Sequence, residues 1–234
     1  MTTVAVTGAS GHLGRVLVPY LWERGYTVEK VGHEMPSDEA DVVMHLAAPR
    51  DWRDADAVRN FAIYNERLAR YSAVNGTRVI AAGSWWQYAD GDAPALPYSR
   101  MKSDQAAMFD CTLVLFSVYG SESREGRGFI PQLLAHARGG RSLAGVSHES
   151  RDWIYATDVC GAFRAALSAP AGVYEVASGL RYSPAELARA VLGGDLPDWP
   201  DVPSCSPRYL HSPVPGWAPR TDVLDFLRRR TAAA

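Results

Sequence analysis

The stretch Thr3-Val4-Ala5-Val6-Thr7-Gly8-Ala9-Ser10-Gly11-His12-Leu13-Gly14 decides the fold. A short apolar run that stops at glycine is the pattern of a buried parallel strand. Beyond it, Leu13, Val16, Leu17, Tyr20 and Leu21 fall at helical spacing, and Gly25 ends that helix. Gly8, Gly11 and Gly14 therefore lie between a strand and a helix. Glycine permits the tight turn and lets backbone approach a phosphate, while the helix N-terminus offers N–H groups and a partial positive charge. With Ser10, His12 and Leu13 in the same turn, this unit suits the pyrophosphate of a dinucleotide; a plain glycine turn is the alternative.

The alternation continues down the chain. Tyr26–Val31, Asp41–Ala48, Arg78–Ala82, Thr112–Phe116 and Val173–Val176 read as strands. Phe61–Asn75, Met101–Phe109, Phe129–Arg138 and Val159–Leu167 read as helices. Ser183-Pro184-Ala185-Glu186 opens another helix, with proline in its first turn. Strands alternating with helices imply an α/β fold of the Rossmann type, a doubly wound parallel sheet. Residues 1–120 are expected to form the dinucleotide-binding core. Residues 121–234 are expected to form a small substrate-binding portion that also returns late elements to the sheet. Prolines crowd between Pro197 and Pro219, which reads as an irregular substrate-side segment before a last helix at Thr221–Arg230. The final Thr231-Ala-Ala-Ala reads as a frayed end.

Composition narrows the class. The 234 residues suffice for a substantial core, and 47% hydrophobic with 21% charged content is ordinary for a globular protein. A net charge of −2 gives no basic field for nucleic acid or an anionic membrane. Cys111, Cys160 and Cys205 are odd in number and widely spaced, which fits neither a disulfide framework nor a zinc motif. No apolar run approaches the roughly 20 residues that span a bilayer, and no basic leader precedes the first strand. A cytoplasmic protein without a metal is expected. His45, inside an apolar strand, reads as a satisfied core residue.

Chemistry concentrates in Pro97-Tyr98-Ser99-Arg100-Met101-Lys102. A phenol with a pKa near 10 donates a proton poorly at neutral pH. A lysine one helical turn away lies on the same face, and its charge favours the phenolate. The same ammonium can bond a nicotinamide ribose, so Tyr98 and Lys102 are expected at the cofactor as well as at the substrate. Ser84, after the strand ending at Ala82, is the candidate to fix a carbonyl oxygen. The tip of the second strand falls on Gly32 and His33, where a carboxylate would bond the adenosine ribose of NAD. Arg15, just past the last glycine, can reach a ribose phosphate instead, so NADPH is the expected cofactor, with NAD possible. Glu34 would serve as the ribose acid after a one-residue slip, and Arg15 has the alternative of a solvated helix charge.

These residues resemble the extended short-chain dehydrogenase/reductases, of the nucleotide-sugar epimerase/dehydratase/reductase type. The ordered matches are Thr7-Gly8-x-x-Gly11-x-x-Gly14, His45-Leu46-Ala47-Ala48, Asn65, Ser84-x-x-x-Tyr88, Tyr98-x-x-x-Lys102, Val118-Tyr119-Gly120, Arg151-Asp152-Trp153-Ile154-Tyr155 with Asp158-Val159, and Gly216-Trp217-x-Pro219. The resemblance implies a catalytic triad of Ser84, Tyr98 and Lys102. It places Leu46, Ala47 and Ala48 beside the cofactor. It gives Arg151 a substrate diphosphate to hold, as its fork geometry suits; an ion pair with Asp152 or Asp158 is the alternative. Ser117 stands where many such proteins carry asparagine and is expected to touch substrate. A homodimer is the expected assembly. About eight residues separate Glu34 from Val42, so one βα unit of the family pattern is expected to be missing after the second strand.

The same resemblance sorts the reactions. Dehydratases of this type carry Asp-Glu after the catalytic hydroxyl residue, whereas this chain has Trp85-Trp86, which cannot shuttle a proton. Those indoles can instead wall a sugar ring, or simply pack. The expected activity is an NADPH-dependent ketoreductase of a nucleotide-linked 4-keto-6-deoxysugar, as used in making deoxysugars. An NAD-dependent nucleotide-sugar 4-epimerase is the alternative in mechanism, and a non-catalytic dinucleotide-binding sensor is the alternative in class.

Overall fold

The computed structural model describes residues 1–49, 51, 53–88, 97–120, 128–140, 143, 145–193, 209 and 212–232. Cys205 and most of the proline-rich segment lie outside them. Six strands form one parallel sheet: β1 (Thr3–Thr7), β2 (Thr27–Val31), β3 (Val42–His45), β4 (Arg78–Ser84), β5 (Cys111–Leu115) and β8 (Gly172–Val176), in the order β2-β1-β3-β4-β5-β8. The reversal of direction between β1 and β3 puts the C-terminal ends of both strands beside the glycine turn, where doubly wound sheets take ligands.

Helices cover both faces. On one side α1 (Gly14–Trp22) packs against α5 (Ala156–Ala165). Leu17, Leu21, Val159 and Phe163 join Val4, Val6, Ile80 and Leu113 of the strands in the main core there. On the other side α2 (Ala55–Asn75) packs against α3 (Pro97–Met108). That face buries Ala5, Val43, Val79 and Ala81 against Leu68 and Phe109. Residues of one strand thus split between two cores, as strand alternation requires.

The link from β2 to β3 crosses β1 without a helix. Residues 32–41 run back along the sheet and are tied down side chain by side chain. The Glu29 carboxylate accepts from Ser37 N and Oγ. Tyr64 and Tyr71 of α2 donate to the carbonyls of Glu34 and Ser37. Ala40, near the end of this strap, is buried against the sheet. The expected loss of a βα unit is therefore visible as a bare crossover.

Several boundaries differ from the sequence reading, and the last helix runs through Thr231, read as part of a frayed end, to Ala232. Helix α2 begins at Ala55 rather than Phe61, because the Asp54 side chain accepts from Asp56 N and Ala57 N and caps it. Strand β3 stops at His45, where the chain turns toward Thr7. Ser84 is the last residue of β4 rather than part of a loop, and a 3₁₀ turn, Trp85–Tyr88, follows at once.

A second, three-stranded sheet was not foreseen. It comprises β6 (Ser117–Tyr119), β7 (Arg151–Tyr155) and β9 (Arg181–Tyr182). It packs with α4 (Phe129–Ala137), α6 (Pro184–Leu192) and α7 (Val223–Ala232) around Tyr119, Leu133, Trp153, Leu187 and Leu227. Strands this short carry no readable alternation, and partners far along the chain select them. Helix α6 does begin where read, with Ser183 and Glu186 forming a reciprocal capping box.

Gly8 has φ +67°, and a Cβ there would meet Ala47 N at 2.7 Å and Leu46 C at 2.9 Å. Gly25 has φ +81° with open space around it. Gly25→Ala is expected to lose about 1 kcal/mol of stability from backbone conformation. Gly8→Ala is expected to lose at least twice as much, since the Leu46–Ala47 backbone after β3 must also move. Equal urea midpoints for the two variants would contradict this packing.

Candidate active site

The turn after β1 is built by close backbone approach. Gly11 N donates to Gly8 O at 2.9 Å, and a Cβ on Gly14 would meet Ala9 Cα at 2.6 Å. The first turn of α1 carries no side-chain cap. This is the shape a dinucleotide pyrophosphate needs, so the residues present fit such a cofactor. Leu46 and Ala47 are drawn to the same place: Leu46 N donates to Thr7 O, and Ala47 N to Thr7 Oγ1 at 3.3 Å. Ala48 follows, exposed.

Beneath the turn lies a closed polar chain. Thr7 Oγ1 donates to His45 Nδ1 at 2.6 Å, and His45 Nε2 donates to Asn65 Oδ1 at 3.0 Å. Asn65 Nδ2 then reaches Met101 Sδ at 3.5 Å. Since Asn65 presents its carbonyl oxygen, His45 carries its proton on Nε2 and is neutral. Burial pushes its pKa down to about 3, aided by the Lys102 charge and opposed by the Asn65 bond. His45 is fully buried and clusters with the rings of Phe61 and Tyr64, 5.6 and 5.9 Å away between centres, with Phe109 edge-on. It is the satisfied core residue the sequence suggested.

Helix α3 brings Tyr98 and Lys102 against β4. Lys102 is 2% exposed, and its Nζ donates to Ala82 O at 2.7 Å and to Gln105 Oε1 at 2.8 Å. Its Nζ lies 6.0 Å from the centre of the Tyr98 ring. Burial pushes the Lys102 pKa down to about 7. Ala82 sits two residues before Ser84 on β4, so one lysine touches the strand of the serine and faces the ring of the tyrosine. Trp86 N donates to Ser84 Oγ at 3.4 Å, and Gln87 Oε1 accepts from Ser84 N. Of the two indoles, Trp85 is 5% exposed and belongs to the main core, while Trp86 is half-buried beside it.

Ser84 pairs in register with Leu115, two residues before Ser117 at the start of β6. Ser117 pairs with Trp153, on the strand that Arg151 begins. The small sheet is thus joined to the Ser84 end of the large one. The carboxylates beside Arg151 in sequence have backbone work. Asp152 accepts from Ser178 N and Gly179 N, and Asp158 accepts from Arg220 N and Thr221 N. Trp217 Nε1 donates to Asp158 O, so the Gly216-Trp217 stretch docks on α5.

A groove of about 490 Å³ flanks the glycine turn, lined by Ser10, Arg15, Trp22, Lys30 and Gly32 among others, with no carboxylate among the described residues. Arg15 Nε donates to Ser10 O, and Lys30 Nζ lies 4.7 Å from the Trp22 ring centre. His33, exposed one residue beyond Gly32, is not part of the lining. Lys30 was missed in the sequence, although its place just before the strand tip could have signalled it. Gln105 was missed too, although it lies three residues from Lys102 on one helical face. A larger hollow of about 640 Å³, at the opposite ends of the strands, contains none of these residues. Among the described residues no cluster could hold a metal ion, and no helix is long and apolar enough to cross a membrane.

A parallel sheet with a glycine turn at its switch point and a Tyr-Lys pair on the flanking helix defines an extended short-chain dehydrogenase/reductase, an NAD(P)-dependent class of enzyme. The model of the NAD dependent epimerase/dehydratase family matches residues 4–177, and the chain belongs to that family. No curated protein matches it in sequence. Among solved structures it resembles a UDP-N-acetylglucosamine 4-epimerase from Bacillus cereus (TM-score 0.80, 18% identity, covering 100% of this chain and 96% of that one). It also resembles RMD from Pseudomonas aeruginosa complexed with NADPH (0.78, 20%, 99% and 98%). MoeE5 in complex with UDP-glucuronic acid and NAD is similarly close (0.76, 22%, 98% and 98%).

The buried histidine sets a pH dependence. The unfolded chain protonates His45 near 6.5, whereas the folded protein does so only near 3. Its neutral form therefore contributes stability that is complete above 6.5 and is lost as pH falls toward 3, at about 1.4 kcal/mol per unit. Denaturant unfolding should show the advantage of wild type over His45→Gln shrinking as pH falls through that window. A gap that stays constant or widens would contradict the assignment.

Proposed function

We propose that the protein is an NADPH-dependent reductase of a nucleotide-linked 4-keto-6-deoxysugar. The observation that carries this reading is the groove beside the glycine turn, which offers Arg15 and Lys30 and no carboxylate. Two cations suit a ribose 2′-phosphate, and the absence of an acid from the lining removes the group that would repel it. The bare crossover after β2 leaves the adenosine side lightly walled, which suits a cofactor that is exchanged each turnover. Gly8, Ser10, Gly11, His12, Leu13, Gly14 and Arg15 would hold the pyrophosphate and phosphate. Leu46, Ala47 and Ala48 would pass beside the nucleotide, with His33 near the ribose.

When bound, the reduced nicotinamide supplies a hydride to the carbonyl carbon. Ser84 fixes the carbonyl oxygen, and Tyr98 gives that oxygen its proton. Lys102, in its charged form nearby, makes the phenolate less costly and so makes Tyr98 a better acid. Arg151 and Ser117 bind the nucleotide-sugar from the small sheet, with Arg151 on the diphosphate. Trp86 supplies an apolar wall, and Trp85 backs it from the core. Residues 121–234 thus form most of the substrate side. A homodimer is the proposed assembly, in the cytoplasm.

The test is oxidation of NADPH and of NADH, followed at 340 nm, with a thymidine-diphospho-4-keto-6-deoxyhexose. NADPH should be oxidised faster than NADH. Absence of oxidation with either, with NAD bound to the protein as purified, would favour a 4-epimerase instead. Tyr98→Phe should lower kcat by about 100-fold or more while cofactor binding persists. Near-normal turnover in that variant would remove Tyr98 as the proton donor. Arg15→Ala should raise KM for NADPH by about tenfold, a loss of about 1.4 kcal/mol, and leave NADH unaffected. An equal effect on both cofactors would leave Arg15 without a role in the choice.

A further inference from the structure

We propose that Gln105 is a positioning residue for Lys102, whose ammonium it holds against β4 through Oε1. The proposal rests on the reading of Tyr98 and Lys102 as the catalytic pair. Gln105 is fully buried on α3, and its Oε1 lies 2.8 Å from Lys102 Nζ. Its own Nε2 is buried without a hydrogen-bond partner. Half of this amide therefore loses water and gains nothing, a cost that an apolar side chain of the same size would avoid. The other half repays that cost only through Lys102. Ala82 O takes a second N–H of the same ammonium at 2.7 Å. With two of three donors fixed at sites two elements apart, the ammonium cannot rotate or retract, and its third N–H is left for the Tyr98 side.

An acceptor with no proton of its own favours the ammonium over the amine. In a site that pushes Lys102 down to about 7, that preference decides how much of the lysine is charged at working pH. Among the described residues, the other ionisable groups facing Lys102 are His45 from β3 and Tyr98 from its own helix. The 3₁₀ turn packed on α3 brings Tyr88, and α2 meets Met101 through the uncharged Asn65. No carboxylate among these offsets the lysine, which leaves Gln105 Oε1 and Ala82 O as its counterweights.

Lys30 and Lys102 are the only lysines in the chain. Protein labelled with 13C at the lysine ε-carbon therefore gives one NMR signal from each, and Lys30→Arg assigns them. The Lys102 signal is titrated in cofactor-free protein of full length, in wild type, Gln105→Leu and Gln105→Glu. The midpoint is expected to fall by about one pH unit in Gln105→Leu and to rise by about one unit or more in Gln105→Glu. A shift under about 0.2 unit in Gln105→Leu, or movement of both variants in one direction, would overturn the proposal. Should Gln105→Leu fail to fold, Gln105→Met takes its place under the same criteria. In turnover, the basic limb of the kcat profile should move in the same order, with KM for the ketosugar unchanged. If wild type reduces no ketosugar, the functional reading fails, while the lysine titration still decides the role of Gln105.

Discussion

The hydrogen-bond chain from Thr7 through His45 and Asn65 to Met101 is the constraint on which the site depends. It runs from the end of β1, where the glycine turn starts, to the helix that carries Tyr98 and Lys102. Every link is shut off from water, and a buried polar atom left without its partner costs about 1–3 kcal/mol. The glycine turn and the proposed proton donor are therefore held at one separation. Ala47 N closes the chain on the cofactor side by donating to Thr7 Oγ1, so the end of β3 is fixed in the same stroke. Lys102 repeats the arrangement one residue further along α3, tying that helix to β4 through Ala82 O.

The bare crossover between β2 and β3 shapes what surrounds this frame. Without a further βα unit, β2 is the edge of the sheet, and Glu29 and Lys30 stand on it. Charges on an edge strand discourage pairing with another sheet. Each also has local work: Glu29 fastens the returning strap through Ser37, while Lys30 lies over Trp22 beside the groove. The bare crossover thus leaves Arg15 and Lys30 exposed beside the glycine turn, which links the fold to the proposed choice of cofactor.

Much of the large sheet could be read from sequence because its strands are buried on both faces and read as continuous apolar runs, as in Val4-Ala5-Val6 and Val42-Val43-Met44. Tyr98 and Lys102 could be read because four residues is one helical turn. The small sheet could not, since β6 and β9 are three and two residues long and their pairing is decided by the packing around Trp153 and Leu187. Other residues have work the sequence did not show: Asp152 and Asp158, offered there as ion-pair partners of Arg151, each take two backbone N–H groups, and Trp85 fills the core. Gln105 was hidden because a glutamine on a polar helix looks solvent-facing until the lysine beside it is seen to be buried.

The proposed reaction delivers a single hydride at the Tyr98–Lys102 site and releases an oxidised cofactor. Mass spectrometry of the sugar made from NADPH deuterated at the transferring position of C4 tests this most directly. One deuterium on the new carbinol carbon, with one NADP released per product, is the predicted result. Conversion of a nucleotide sugar to its epimer with no deuterium incorporated and no net oxidation of cofactor would contradict it.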